Sequence, residues 1–163
     1  MSYSILIPLY NEVSLIPTLL KDLNQLDNKY EIIIINDGSD DGSNNALKNS
    51  SNIILINNEK NYGKGFSIQK GIEVAKNDNI ILMDGDLEVD TKDIPLLINE
   101  FESFGEIKKK AVVGVRLNYK NNINVKTMVI GNKLINQFFN KLFSTSFSDI
   151  LCCYKVIAKE NIQ

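Results

Sequence analysis

The sequence contains no histidine. That removes imidazole metal ligands, Ser-His and Cys-His catalytic pairs, and any histidine general base. Its only cysteines, Cys152 and Cys153, are neighbours. Adjacent Cα atoms lie about 3.8 Å apart, closer than the disulfide range of about 4.4–6.8 Å. Both therefore read as reduced thiols of a cytoplasmic protein. With no further Cys or His to complete a zinc site, packing is their expected role. Basic residues are in no excess either: the net charge is -2, which argues against a general nucleic-acid binder. No apolar run approaches the roughly 18 residues of a spanning helix. Tyr3–Ile7 is entered without a basic region and a long apolar core, so no signal peptide is expected. The chain is not expected to cross a membrane by itself, while lying against one stays open. No repeat or interdomain linker is present, and 163 residues fit one domain with a sizeable core.

What is present is an alternation of short apolar runs with amphipathic stretches. Tyr3–Ile7, Glu31–Ile35, Ile53–Ile56, Ile80–Met83 and Ala111–Val115 read as strands, the first closed by Pro8. Helices are expected near Ser14–Leu26 with Ser14 as cap, weakly around Ser43–Asn49, near Lys64–Lys76, and from Thr91 as cap through Phe101. This order predicts an α/β fold with a mostly parallel central sheet flanked by helices. Ligands of such sheets bind at the carboxyl ends of the strands, where Glu12, Asp37, Asp84, Asp86 and Arg116 stand.

The last third differs. Asn118–Asn124 reads as a polar loop, and Val125–Phe143 as a long helix with Met128, Leu134, Ile135, Phe138, Phe139, Leu142 and Phe143 apolar. Core packing is the expected role of that apolar set. A membrane interface is the alternative, with Lys126, Lys133 and Lys141 interspersed. Ser148–Ile157 reads as a loop followed by a strand from Tyr154.

The most informative stretch is the buried run Ile80–Met83 followed by Asp84, Asp86 and Glu88 at alternate positions. In extended backbone, residues two apart point the same way, so these carboxylates can converge. Like charges held that close call for a cation, and a hard divalent ion with oxygen ligands is the simplest one. A solvated turn is the competing reading, because Asp and Gly are common turn residues. An EF-hand is excluded, since Val89 and Pro95 fall where its glycine and bidentate glutamate belong. Asn61-Tyr-Gly-Lys-Gly-Phe66 lacks Walker A spacing, and no strand precedes a Gly-x-Gly-x-x-Gly. Asp37 can accept from the N–H edge of a nucleobase or act as a turn or capping residue. Arg116 can grip phosphate with its planar fork or be a plain surface arginine. Lys64 opens a helix between Gly63 and Gly65, where backbone N–H groups can face an anion. A nucleoside diphosphate with Mg²⁺ or Mn²⁺ satisfies all these groups together.

Five segments then match a known family in order: Ile7-Pro-Leu-Tyr-Asn-Glu12, Asn36-Asp-Gly-Ser-Asp-Asp-Gly-Ser43, Asn61-Tyr-Gly-Lys-Gly65, Asp84-Gly-Asp-Leu-Glu88 and Gly114-Val-Arg116. The chain resembles the inverting nucleotide-sugar glycosyltransferases of family 2, with the GT-A fold. Gly131-Asn-Lys-Leu-Ile-Asn136 and Ser148-Asp-Ile-Leu-Cys-Cys-Tyr-Lys-Val156 make it most similar to the polyprenyl-phosphate hexosyltransferases of the dolichol-phosphate mannose synthase type. That subgroup usually continues well beyond the last segment, so a GT-A domain truncated at its C-terminus is expected. Within it, residues 1–117 would be the nucleotide-sugar part and 118–163 the start of the acceptor side.

The resemblance implies that Pro8, Tyr10, Glu12 and Asp37 hold the nucleoside, and that Asp84, Asp86 and Glu88 hold the metal. It implies that Arg116 contacts phosphate, that Lys155 approaches the acceptor or phosphate, and that Asp149 is a recurrent acid whose role stays open. The implied reaction is a single displacement at the anomeric carbon of a GDP-mannose or UDP-glucose type donor by polyprenyl phosphate, at the cytoplasmic face of a membrane or with a membrane-protein partner. A phosphate acceptor needs no strong base near neutral pH. A saccharide acceptor would need one, with Asp149 as its candidate. A truncated, non-catalytic nucleotide-sugar-binding domain is the reading from a different class.

Overall fold

A computed structural model describes residues 1–105, 111–115 and 123–162, with the backbone alone for 123–129. Six strands, β1 (Tyr3–Leu9), β2 (Tyr30–Asn36), β3 (Ile54–Asn57), β4 (Asn79–Leu82), β5 (Ala111–Val113) and β6 (Lys155–Ala158), form one sheet in the order β3-β2-β1-β4-β6-β5. The first four are mutually parallel, while β6 runs antiparallel to both β4 and β5. The helices are α1 (Ile16–Leu23), α2 (Ser43–Leu47), α3 (Lys64–Val74), α4 (Ile94–Ser103) and α5 (Ile123–Phe143). The expected mostly parallel α/β architecture is what the chain adopts.

Alternation along each strand divides the core in two. Ile5, Ile7, Leu9, Ile32, Ile34 and Ile81 face one side, with α1, α4 and the fully buried Phe101. Leu6, Ile33, Ile35 and Ile80 face the other, where α3 lies. Strands covered on both faces are apolar at nearly every position, which explains the isoleucine runs; Ser4, buried inside β1, donates its hydroxyl to the Glu31 carboxylate. The α3 helix sits unusually close: a Cβ on Gly71 would stand 3.0 Å from Ile35 Cδ1 and 3.2 Å from Leu6 Cδ1. That close approach is what the glycine permits.

Four expectations need correction. Pro8 does not close β1; it lies inside the strand, in register with Ile35. Leu6 O still accepts from Met83 N–H, and Leu9 O accepts from Asp37 N–H. By the alternation of a parallel ladder, the nitrogen of Pro8 therefore faces the β4 side, where pairing has already ended, and its missing N–H breaks no bond. Ser14 does not cap α1. Leu15 takes that place after a turn in which its N–H donates to Glu12 O, and proline stands in the first turn. Thr91 is buried in a short 3₁₀ turn ahead of α4; Asp90 caps that turn, its carboxylate accepting from Lys92 N–H at 2.9 Å, and Asp93 holds the N-cap position of α4 itself.

The fourth correction concerns α5. Leu134, Ile135, Phe138, Leu142 and Phe143 do not enter the core; all are exposed, Phe138 at 70%. The helix is held instead through two asparagines. Asn136 donates to Ser148 O and accepts from Ile150 N–H, and Asn140 does the same with Phe147 O and N–H. The face that meets the chain is thus mixed, the two asparagines flanking the half-buried Phe139, which packs edge-on against Phe147 at 6.2 Å between ring centres, and the stripe Ile130, Leu134, Phe138 and Leu142 is left outward. Ile123 and Asn124, expected in a loop, already belong to the helix. Residues 118–122, the side chains of Lys126 and Met128, and Arg116 lie outside the described residues. Among the described residues no helix is long and apolar enough to cross a membrane.

Candidate functional site

The carboxyl ends of β1, β2 and β4 open into one cleft with a volume of about 220 Å³. Pro8, Tyr10 and Glu12 come from β1 and the loop after it, Asp37 from the end of β2, Lys64 from the first turn of α3, and Asp84 and Asp86 from the loop after β4. Seven residues singled out in the sequence therefore meet on one wall. The volume falls below the roughly 300–1,000 Å³ of pockets that enclose a whole small ligand.

Loop-to-loop hydrogen bonds hold the wall. Asn11, at φ +56°, donates its N–H to Ser39 Oγ and accepts from Asp40 N–H. Val13 N–H donates to Asp41 Oδ2 at 2.8 Å; within the second loop, Ser39 N–H donates to Asn36 Oδ1 at 3.2 Å. The asparagine- and aspartate-rich loops after β1 and β2 are thus stitched to each other, each side chain satisfying backbone the other loop leaves open.

Asp37 is 4% exposed. Its carboxylate accepts from Asn58 Nδ2 at 2.7 Å, from Tyr62 N–H at 3.1 Å and from Gly63 N–H at 2.8 Å. It therefore anchors the loop that leads into α3, and in this respect acts as the capping-type aspartate of the competing reading while also lining the cleft. Burial pushes its pKa up; the bonds from Asn58, Tyr62, Gly63 and Ser67 outweigh burial and hold it below the usual aspartate value. A carboxyl depressed in the folded state stabilises fully above its unfolded pKa of about 3.9, and that stabilisation is lost as the pH falls through the folded value. Asp37→Asn is expected to cost about 1–3 kcal/mol at pH 7, because an amide N–H is set against donors. It should also flatten the loss of stability below about pH 4. Urea unfolding at pH 7 and pH 3 measures both; equal acid sensitivity in the two proteins would refute the assignment.

Asp84 carries an ion pair with Lys64, whose Nζ stands 2.5 Å from Oδ1 and 2.6 Å from Oδ2. Asp86 Oδ1 accepts from Glu88 N–H at 3.0 Å. The expected convergence of Asp84, Asp86 and Glu88 is not met, because its premise of extended backbone fails. Residues 85–89 turn, Leu87 has φ +60°, and Leu87 and Val89 pack against the core. Glu88 is taken off the cleft wall. Among the described residues no three acidic side chains form a metal cage. The remaining set of two carboxylates on an open wall still fits a hard cation that arrives with a diphosphate, since Mg²⁺ is commonly bound by one or two carboxylates plus substrate phosphates.

Asp149 is buried in the loop before β6, and Lys155 is the half-buried first residue of β6, in register with Leu82 and Val113; neither lines the cleft. Both cysteines are free thiols. Cys153 is held protonated by its bond with Cys152, by burial and by the nearby Asp84 charge, in keeping with a packing role. The residues that sequence reasoning did not single out are Asn58 and Ser67. Asn58 Nδ2 also reaches Ser67 Oγ at 3.0 Å, which ties Asp37 to α3. A single asparagine after a strand looks like any turn residue, so no sequence signal marked it.

The sequence profile described as "Glycosyl transferase family 2" matches residues 4–162. Among similar proteins is the undecaprenyl-phosphate 4-deoxy-4-formamido-L-arabinose transferase of Aeromonas hydrophila, 32% identical over 98% of this chain and 49% of its own. The namesake from Proteus mirabilis is also 32% identical over the same shares. The chain thus spans about half the length of these curated relatives. Among solved structures, glucosyl-3-phosphoglycerate synthase from Mycobacterium tuberculosis aligns with a TM-score of 0.74 over 98% of this chain and 57% of its own, at 17% identity. That likeness shows the GT-A fold. Four of the five matched segments line the cleft at the strand ends, and the chain belongs to glycosyl transferase family 2.

Proposed function

We propose that this chain is the donor-binding portion of a hexosyltransferase that moves a sugar from a GDP- or UDP-sugar to polyprenyl phosphate with inversion. The observation that carries the reading is the meeting of Tyr10, Glu12, Asp37, Lys64, Asp84 and Asp86 in one cleft at the carboxyl edge of the parallel strands. The names of the relatives support a polyprenyl-phosphate acceptor. A mannosyltransferase of Pyrobaculum calidifontis with GDP-Man and Mn²⁺ bound has the same fold, with a TM-score of 0.60 at 21% identity over 69% of this chain and 35% of its own. The sugar in the relatives' names, 4-deoxy-4-formamido-L-arabinose, makes an aminopentose the second reading for the donor. Residues 1–117 would hold the donor and 118–163 begin the acceptor side.

In this reading Pro8, Tyr10, Glu12 and Asp37 border the nucleoside. Lys64 borders the diphosphate, and Arg116, which lies outside the described residues, is the phosphate-contacting arginine the family resemblance implies; cations there would stabilise the charge that develops as the diphosphate departs. Asp84 and Asp86 would hold Mg²⁺ or Mn²⁺, which when bound supplies further charge neutralisation on the diphosphate. A phosphate oxygen of the acceptor forms the new bond to the anomeric carbon, and the nucleoside diphosphate leaves with the electron pair of the broken bond. The acceptor is already anionic near neutral pH, so no general base is required, which suits a cleft with no histidine and with Asp149 off its wall. The outward stripe of α5, in a helix with three lysines and no acidic residue, supports contact with an anionic membrane surface.

Calorimetry with GDP and UDP, each with and without Mn²⁺, tests the donor site; binding of neither would sink it. Turnover with polyprenyl phosphate then separates enzyme from binding domain. Co-sedimentation stronger with anionic than with neutral vesicles is the expected sign of the α5 contact.

A further inference from the structure

We propose that Lys64 occupies the cation position on Asp84 while no diphosphate is bound, so that a divalent ion enters with the nucleotide rather than ahead of it. The inference rests on the reading of the cleft as a diphosphate and metal site, and it concerns what the chain does before either ligand arrives.

Both oxygens of Asp84 lie against one ammonium, at 2.5 and 2.6 Å. A hard divalent ion on Asp84 needs those same oxygens. The two cations therefore compete for one carboxylate. Lys64 is suited to hold the place and to leave it. Its backbone stands in the first turn of α3, directly after Gly63, whose N–H is fixed on Asp37 at 2.8 Å. Its side chain is half exposed, and exposed pairs of this kind are weak and exchangeable.

The helix adds a bias. The first turn of α3 carries no acidic residue, and the positive end of a helix dipole opposes a cation there and favours an anion. A diphosphate reaching this edge offers Lys64 an anionic partner in a position the helix favours, and so frees Asp84. Nucleotide and metal then raise each other's affinity by the same factor, as linkage requires.

Titrations of the full chain with Mn²⁺, free metal being read by electron paramagnetic resonance, test this without and with GDP or UDP. Lys64→Met should bind Mn²⁺ alone about two- to five-fold more tightly than the wild type, the worth of an exposed pair. It should also show less coupling between metal and nucleotide. Lys64→Gln should act in the same direction, whereas Lys64→Arg, which keeps the charge, should stay near the wild type. Unchanged affinity for Mn²⁺ alone in both neutral variants, with metal-dependent nucleotide binding intact in the wild type, overturns the inference and leaves the cleft reading standing. Absence of metal-dependent binding of either nucleotide by the wild type overturns both.

Discussion

Asp86→Ala is expected to weaken metal-dependent nucleotide binding by about 100-fold, the upper end of what even indirect metal partners cost, and to leave the fold intact. Asp86 lines the cleft beside Asp84, and its one described bond is the short-range acceptance from Glu88 N–H at 3.0 Å. Losing that bond costs about 0.5–1.5 kcal/mol, too little to unfold a domain of ordinary stability. Asp86→Asn separates the two contributions. The amide oxygen still accepts from Glu88, while the charge that attracts a divalent ion is gone. Both variants should therefore lose Mn²⁺-dependent binding of GDP or UDP, and only the alanine variant should unfold slightly earlier. Asp84 is a poorer position for this experiment, because its removal also strands Lys64. Unchanged affinity in Asp86→Asn would remove the metal from this loop.

The second large effect is expected at Gly38. Its φ is +70°, and a Cβ there would stand 2.3 Å from Lys60 C, 2.5 Å from Lys60 Cα and 2.6 Å from Asn61 N. All three are backbone atoms, so no side chain can swing aside. The left-handed conformation costs a residue with a Cβ about 1–2 kcal/mol, and forced overpacking about 1–3 kcal/mol more. Gly38→Ala should therefore lose about 3 kcal/mol, a fall of about 6–12 °C in Tm for a chain of this size. Gly42→Ala is the comparison. It is left-handed too, with φ +97° and ψ 0°, but an added Cβ meets only Val13 Cγ2 at 3.9 Å, so conformational strain is nearly the whole cost. The crowding at Gly38 has a functional side as well. The backbone it admits leads into Asn61 and Gly63, which line the cleft, so nucleotide affinity should fall together with Tm. Thermal unfolding and calorimetry on the two variants check this; equal losses at the two glycines would refute the packing argument.

The sheet was legible because strands covered on both faces are apolar at nearly every position, and the isoleucine runs of β1, β2 and β4 announce that directly. The place of the cleft followed from it, since polar residues gathered after those runs. At the Asp84 loop, the alternation that holds in extended backbone gives way to the burial of neighbouring apolar side chains. Leu87 and Val89 are apolar residues within an acidic loop, and burying them turns the backbone and separates the carboxylates. That was visible in the sequence as a conflict between two patterns. The α5 helix shows a different limit. Periodicity reveals that a face is apolar, but not what covers it, and here two asparagines decide which side meets the chain.

The position of β6 bears on how the protein is made. Strands β1 to β4 and their connecting helices can assemble as soon as they emerge, because every pairing among them joins strands of the first half. The outer edge of β4 and the whole of β5, in contrast, have only β6 as a described partner. Until the chain has been synthesised through Ala158, β4 carries an open row of backbone donors and acceptors next to the strand end that delivers Asp84. An edge of that kind pairs readily with another chain. On the ribosome, that edge stays without its partner in the interval between the emergence of Leu82 and that of Lys155.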